Sequence, residues 1–132
     1  MTALMMDRPA LQAFMEIEFS QVAASLSLRE VAPYRLGVAL IPGDGHLRPG
    51  NTVSGPALFG LADVGAYLAI LAMIGPKALT VTTSASIDFM RKPPTGGEVL
   101  AQIEILKLGQ SLAVGDARLF AEVDAERAMV AR

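Results

Sequence analysis

The apolar pattern of the chain changes period twice, and each change marks a new kind of element. From Pro9 to about Ser25, Leu11, Phe14, Met15, Phe19, Val22 and Ala23 recur close to a helical period, with Glu16, Glu18 and Gln21 on the other face. This predicts an amphipathic N-terminal helical segment, in one piece or two. From Leu26 the pattern alternates, over Leu26–Val31 and Tyr34–Leu40, as strands do, with Ala32-Pro33 as the break. Ile41 to Asn51 is rich in turn formers and reads as a loop. The stretch from Ser54 to Ile74 is almost wholly apolar and reads as one long helix, with Ser54 as N-cap, Pro56 near the first helical position and Gly75-Pro76 as the stop. Alternation then returns at Leu79, Val81, Thr83, Ala85, Ile87 and Phe89, predicting a strand. Arg91–Gly97 follows as a basic, proline-bearing turn. Further strands are predicted at Val99–Ile105 and Ala113–Ala121, and the start of one at Ala128–Arg132, with a turn at Leu108–Ser111. The order implies an α+β fold in which a curved antiparallel sheet of five or six strands wraps a long central helix.

Between Pro56 and Pro76 the only charged side chain is Asp63. A helix apolar all round is expected to be buried, and a carboxylate within it persists only when paired, hydrogen-bonded or put to use. Asp63 is therefore the leading functional candidate, with a structural role at a subunit interface as the plain alternative. The run from Ala57 to Ile74 also approaches the length of a membrane span, but Gly60, Gly65 and the central Asp63 argue against one.

Composition narrows the field. At 132 residues one domain is expected, spanning 1–132 with the helical segment over about 1–25. The chain is 52% hydrophobic and 5% aromatic, so its core is aliphatic, and a mean hydropathy of +0.45 suggests surface buried in an oligomer. A net charge of −2 argues against nucleic-acid binding. The absence of cysteine excludes a thiol nucleophile and a zinc-thiolate site. The first residues lack the basic-then-apolar pattern of a signal peptide, so a cytoplasmic location is expected.

The residues from Gly55 to Asp63, with Leu61-Ala62-Asp63 at a fixed spacing from Gly55, and those from Thr82 to Pro93 resemble the hotdog-fold thioesterases of the phenylacetate-pathway (PaaI-type) group, over roughly Phe19 to the end. The resemblance implies a hotdog fold and hydrolysis of an acyl- or aryl-coenzyme A thioester, with coenzyme A as part of the substrate and no separate cofactor. It implies Asp63 as general base or nucleophile and the Gly55 N–H as oxyanion donor. Thr82 would help to hold the attacking water across a subunit interface, and Arg91 and Lys92 would lie near the coenzyme A phosphates. It also implies a homodimer or a dimer of dimers. The family's histidine before the oxyanion glycine is Ser54 here, and its second glycine is Pro56, which leaves Gly55 more solely responsible for the oxyanion. The family's loop asparagine has no match at its offset, which Arg48 occupies, and Asn51 lies three residues later.

The remaining candidates weigh less. His46, the only histidine, has neither a nucleophile elbow nor a cysteine to work with, and is expected on the loop near solvent. Asp44 with Asp88 or Asp116 makes no metal-ligand spacing, so no metal site is expected. Tyr67, one turn after Asp63, either packs or shares a hydrogen bond with it. Phe59, Leu61 and Met90 are core or acyl-pocket residues. The expected function is acyl-coenzyme A hydrolysis, with Asn51, Ser54, Pro56, Phe59, Arg91 and Lys92 as substrate-binding residues. An acyl-coenzyme A-binding protein without turnover, a structural or interaction module, and, less well supported, a hydratase are the alternatives.

Overall fold

A computed structural model of the chain describes residues 3–76, 80–93, 97–123 and 126–132, the side chains of 122, 123 and 126 excepted. The N-terminal segment forms two helices, α1 (Arg8–Glu18) and α2 (Ser20–Ala23). Asp7 caps α1 by accepting the Ala10 N–H at 3.0 Å, and the chain breaks at Phe19, whose φ of −138° is not helical. Among the described residues seven strands follow: β1 (Leu26–Ala32), β2 (Arg35–Leu40), β3 (Leu47–Arg48), β4 (Thr52–Val53), β5 (Val99–Leu108), β6 (Ala113–Val123) and β7 (Glu126–Ala131). The long helix α3 (Gly55–Ile74) lies between β4 and β5 in the chain. Five strands make one antiparallel sheet in the order β1-β2-β5-β6-β7, and β3 pairs with β4 in the loop ahead of α3.

One face of α3 packs on this sheet. Leu58, Leu61, Leu68, Leu71 and Ala72 are buried against the inward side chains of Val38, Ala101, Ile103 and Leu119. Gly65 allows the close approach, because a Cβ there would come within 3.0 Å of Ile103 Cδ1. With a mean hydropathy of 2.0, α3 is long and apolar enough to cross a membrane, yet here it is the core helix of a sheet. At its end Gly75 adopts φ +94°, a left-handed conformation suited to glycine, and donates to Leu71 O at 2.8 Å. The orphan carbonyl of Ala72 accepts the N–H groups of Met5 and Met6, at 2.7 and 3.1 Å, so the N-terminal residues finish the helix.

One expectation changes. The residues from Thr80 to Asp88 form no strand, and Leu79 lies outside the described residues, as do Pro94–Gly96 of the basic turn. The reason is geometric. Asp88 exchanges backbone hydrogen bonds with Arg132, and Met90 N–H donates to Val130 O, so the segment meets β7 only at its far end. Residues 80–87 have no strand beside them among the described residues. The sheet leaves the rest of α3 open: Pro56, Phe59 and Gly60 are exposed and Asp63 is half-buried.

Candidate active site

The first turn of α3 can be accounted for donor by donor. The Ser54 N–H donates to His46 O at 2.8 Å, Pro56 has no N–H, and the Ala57 N–H donates to Ser54 Oγ at 3.2 Å. The Leu58 N–H reaches Ser54 O at 3.0 Å. Among the described residues only the Gly55 N–H of this turn has no acceptor. It sits at the positive end of a 20-residue helix, where a developing negative charge is best placed. Phe89 lies beside it, with Cζ 3.4 Å from where a Gly55 Cβ would be. Ser54 is thus the N-cap the sequence predicts. Pro56, exposed, removes the neighbouring donor.

The acid lies elsewhere. Asp63 opens into a groove of about 950 Å³ between α3, the segment 80–88 and the β5–β6 turn, walled by Phe59, Ala66, Tyr67, Ile70 and Ile74 on the helix side. Thr82 Oγ1 donates to Asp63 Oδ1, leaving Oδ2 without a partner among the described residues. Thr82 belongs to the same chain as Asp63, which corrects the expectation that it reaches the acid across a subunit interface: after Pro76 the chain returns past the middle of α3. Gly55 and Asp63 do not meet within one chain. Eight residues at 1.5 Å rise separate them by roughly 12 Å along the helix axis.

The other predicted residues are dispersed. Asn51 is exposed at the tip of the β3–β4 hairpin with φ +60°, and its N–H donates to Arg48 O at 2.9 Å, so it makes a turn and does not face the groove. Arg91 and Lys92 are exposed beyond Phe89, without an ion pair among the described residues. His46 is a loop fastener: Nδ1 accepts the Gly43 N–H at 2.9 Å while its carbonyl holds Ser54. Leu61 is core, Phe59 is groove wall, and Met90 is neither, being 54% exposed. Tyr67 packs rather than bonding Asp63. Its ring stacks edge-on against Phe19 at 5.6 Å, its hydroxyl has no partner among the described residues, and burial, then the charge of Glu18, pushes its phenol up.

The far end of the groove escapes sequence reasoning. There Arg132 donates to both carboxylate oxygens of Asp116 at 3.1 Å each, with Arg118 at 3.4 Å. The Arg132 hydrogen bond holds the Asp116 carboxyl below its usual range, against the upward push of burial. On the sequence, Asp116 and Arg118 look like any solvated strand face, and nothing in it links them to Arg132. Among the described residues no group of histidines and carboxylates is arranged to hold a metal.

Helix, sheet order and site together define a hotdog fold. The chain belongs to the thioesterase superfamily, whose family model matches residues 50–128. A candidate thioesterase from Silicibacter sp. TM1040 is 45% identical, with 98% of this chain and 89% of that one covered and a TM-score of 0.89. A point mutant of the phenylacetic acid degradation protein PaaI from Thermus thermophilus is 27% identical, with 90% and 91% covered and a TM-score of 0.68. A hypothetical thioesterase protein from Streptococcus pneumoniae TIGR4, solved with coenzyme A, shares the fold at 16% identity, covering 92% and 91%, with a TM-score of 0.73. No curated protein matches the chain.

Proposed function

We propose that the protein hydrolyses an acyl- or aryl-coenzyme A thioester to the free acid and coenzyme A, as a PaaI-type thioesterase that needs no cofactor beyond the coenzyme A of its substrate. The observation that carries this reading is Asp63: the only charged side chain on α3, half-buried, oriented by Thr82 and open to a groove large enough for an acyl group. In the reaction a water oxygen attacks the carbonyl carbon while Asp63 takes its proton, or Asp63 attacks directly. The negative charge that develops on the carbonyl oxygen is met by a Gly55 N–H, and the C–S bond breaks to release the thiol. Since roughly 12 Å separates Gly55 from Asp63 along one helix, the two groups that flank one carbonyl come from different chains, and the working unit is at least a homodimer. That replaces the simpler arrangement in which Gly55 and Asp63 of one chain share a site.

The Silicibacter relative and the superfamily support a thioester substrate. Coenzyme A in the Streptococcus protein makes its esters the first to try. The test is thiol release from a panel of acyl- and aryl-coenzyme A esters by wild type and Asp63→Asn. Turnover of at least one ester, lost by about 100-fold or more in Asp63→Asn, is the expected result. A wild type that binds the esters without releasing thiol would make this a binding protein instead.

A further inference from the structure

We propose that Gly60 is a positioning residue for this reaction. It lies where the α3 helices of two copies cross, and its missing side chain sets the gap across which Gly55 of one copy faces Asp63 of the partner subunit. The inference rests on the hydrolytic reading above and deepens it.

Pro56, Phe59, Gly60 and Asp63 recur at i, i+3, i+4 and i+7 and so share one face of α3, the face the sheet leaves open. Gly60 is hard to justify there in a single chain. It sits in the interior of a 20-residue helix, where glycine is about 1 kcal/mol less favourable than alanine. A Cβ built on it meets nothing within 4 Å among the described residues. In the lone chain, alanine would be the better residue.

A second copy supplies the reason. If Gly55 of one protomer faces Asp63 of its partner, the two-fold symmetry of an isologous dimer makes the reverse true as well. The two α3 helices then run antiparallel and the two-fold axis passes at the midpoint, Phe59, with Gly60 beside it. On that axis Phe59, 37% exposed, meets its counterpart from the second copy, and Gly60, the empty position of this face, leaves room beside the two rings. The separation of crossing helices follows the size of the side chains at the contact. Here that separation is also the distance between oxyanion donor and acid, which must hold reacting atoms about 3–3.5 Å apart.

The chain has no cysteine, so single cysteines report contacts cleanly. Under mild oxidation Gly60→Cys is expected to form a covalent dimer, because a disulfide requires Cα atoms within about 7 Å, while Ala13→Cys on the exposed side of α1 stays monomeric on a denaturing gel. Gly60→Ala is expected to remain a dimer by sedimentation and to lose about 10- to 100-fold in kcat with KM little changed, since small displacements at a reacting centre have that cost. Gly60→Ala with unchanged kcat and higher thermal stability, or a Gly60→Cys protein that does not cross-link, overturns the proposal. Cross-linking needs no turnover, which separates the two readings. An inert wild type whose Gly60→Cys form cross-links sinks the hydrolytic reading, and with it the catalytic role of Gly60, and leaves only the helix crossing. An active wild type without that cross-link sinks only the role of Gly60.

Discussion

Among the described residues, every backbone donor but one at the first turn of α3 is bonded within the chain, whereas two turns further on Asp63 has a single partner, Thr82, on a segment with no strand beside it. The donor end is finished. A serine cap, a histidine carbonyl and a proline dispose of every N–H except that of Gly55, using residues no more than eight positions away. The acid end is unfinished, with an open groove and an exposed helix face. The contrast suggests that local chain geometry can prepare an oxyanion donor, but that the acid becomes useful only when another chain brings a donor to it.

The sharpest way to break this comparison is to remove the one free donor without disturbing the helix. Proline is well tolerated at the first helical position, so Gly55→Pro deletes the N–H while keeping the fold, and Gly55→Ala, which keeps the N–H, controls for the contact with Phe89. Gly55→Pro is expected to lose about 10²- to 10³-fold in kcat, the usual effect of losing an oxyanion donor. Mixing it with Asp63→Asn then tests the two-chain site. Both variants are weak alone. A mixed dimer holds one intact site, so random exchange restores roughly a quarter of wild-type activity in an isologous dimer. No recovery on mixing would mean that both groups act from one chain.

A smaller effect is expected at the acid end. Thr82→Val keeps the shape of the side chain but removes the hydrogen bond to Asp63. Hydrogen bonds to charged groups contribute about 1.5–3 kcal/mol, so a loss of about 10-fold or more in kcat/KM should follow. Unchanged kinetics would mean that the contact does not hold the carboxylate for catalysis.

The two ends also differ in how far the sequence discloses them. The cap at Ser54, the proline after Gly55 and the stop at Gly75 are legible because helix ends are specified by neighbours in sequence. The strands over Leu26–Leu40 and Val99–Ala121 are legible for a similar reason, since alternation is a local signal, as the alternating burial of Val99–Ile105 shows. What fails is non-local. Alternation over Thr80–Phe89 is real, but a strand also needs a neighbour, and β7 meets the segment only near Asp88 and Met90. The pairing of Asp116 with Arg132 depends on β6 and β7 lying side by side, which no local pattern states. Asn51 lies outside the groove of its own chain, and its positive φ accounts for an asparagine at a hairpin tip, a non-local placement that composition does not state. The spacing from Gly55 to Asp63 is written in the chain. Once the helix between them is continuous, that spacing sets the two groups roughly 12 Å apart along its axis.

The smallest expected effect tests whether the donor end is built from backbone alone. Ser54 Oγ accepts only the Ala57 N–H, while its own N–H and carbonyl bond His46 O and the Leu58 N–H through backbone atoms. Ser54→Ala therefore removes the cap and leaves the other two bonds in place. Losing a serine cap costs about 1 kcal/mol, which for a chain of this size lowers Tm by roughly 3–5 °C. Because the Gly55 N–H is untouched, kcat/KM should stay within a few-fold of wild type. The opposite outcome, a large loss of activity with Tm unchanged, would show that the hydroxyl touches the substrate carbonyl. In that case a side chain, and not the peptide backbone alone, would share the work of the family's missing histidine. If stability falls and activity does not, the serine only holds the turn, and the oxyanion is left to one N–H at the end of a helix.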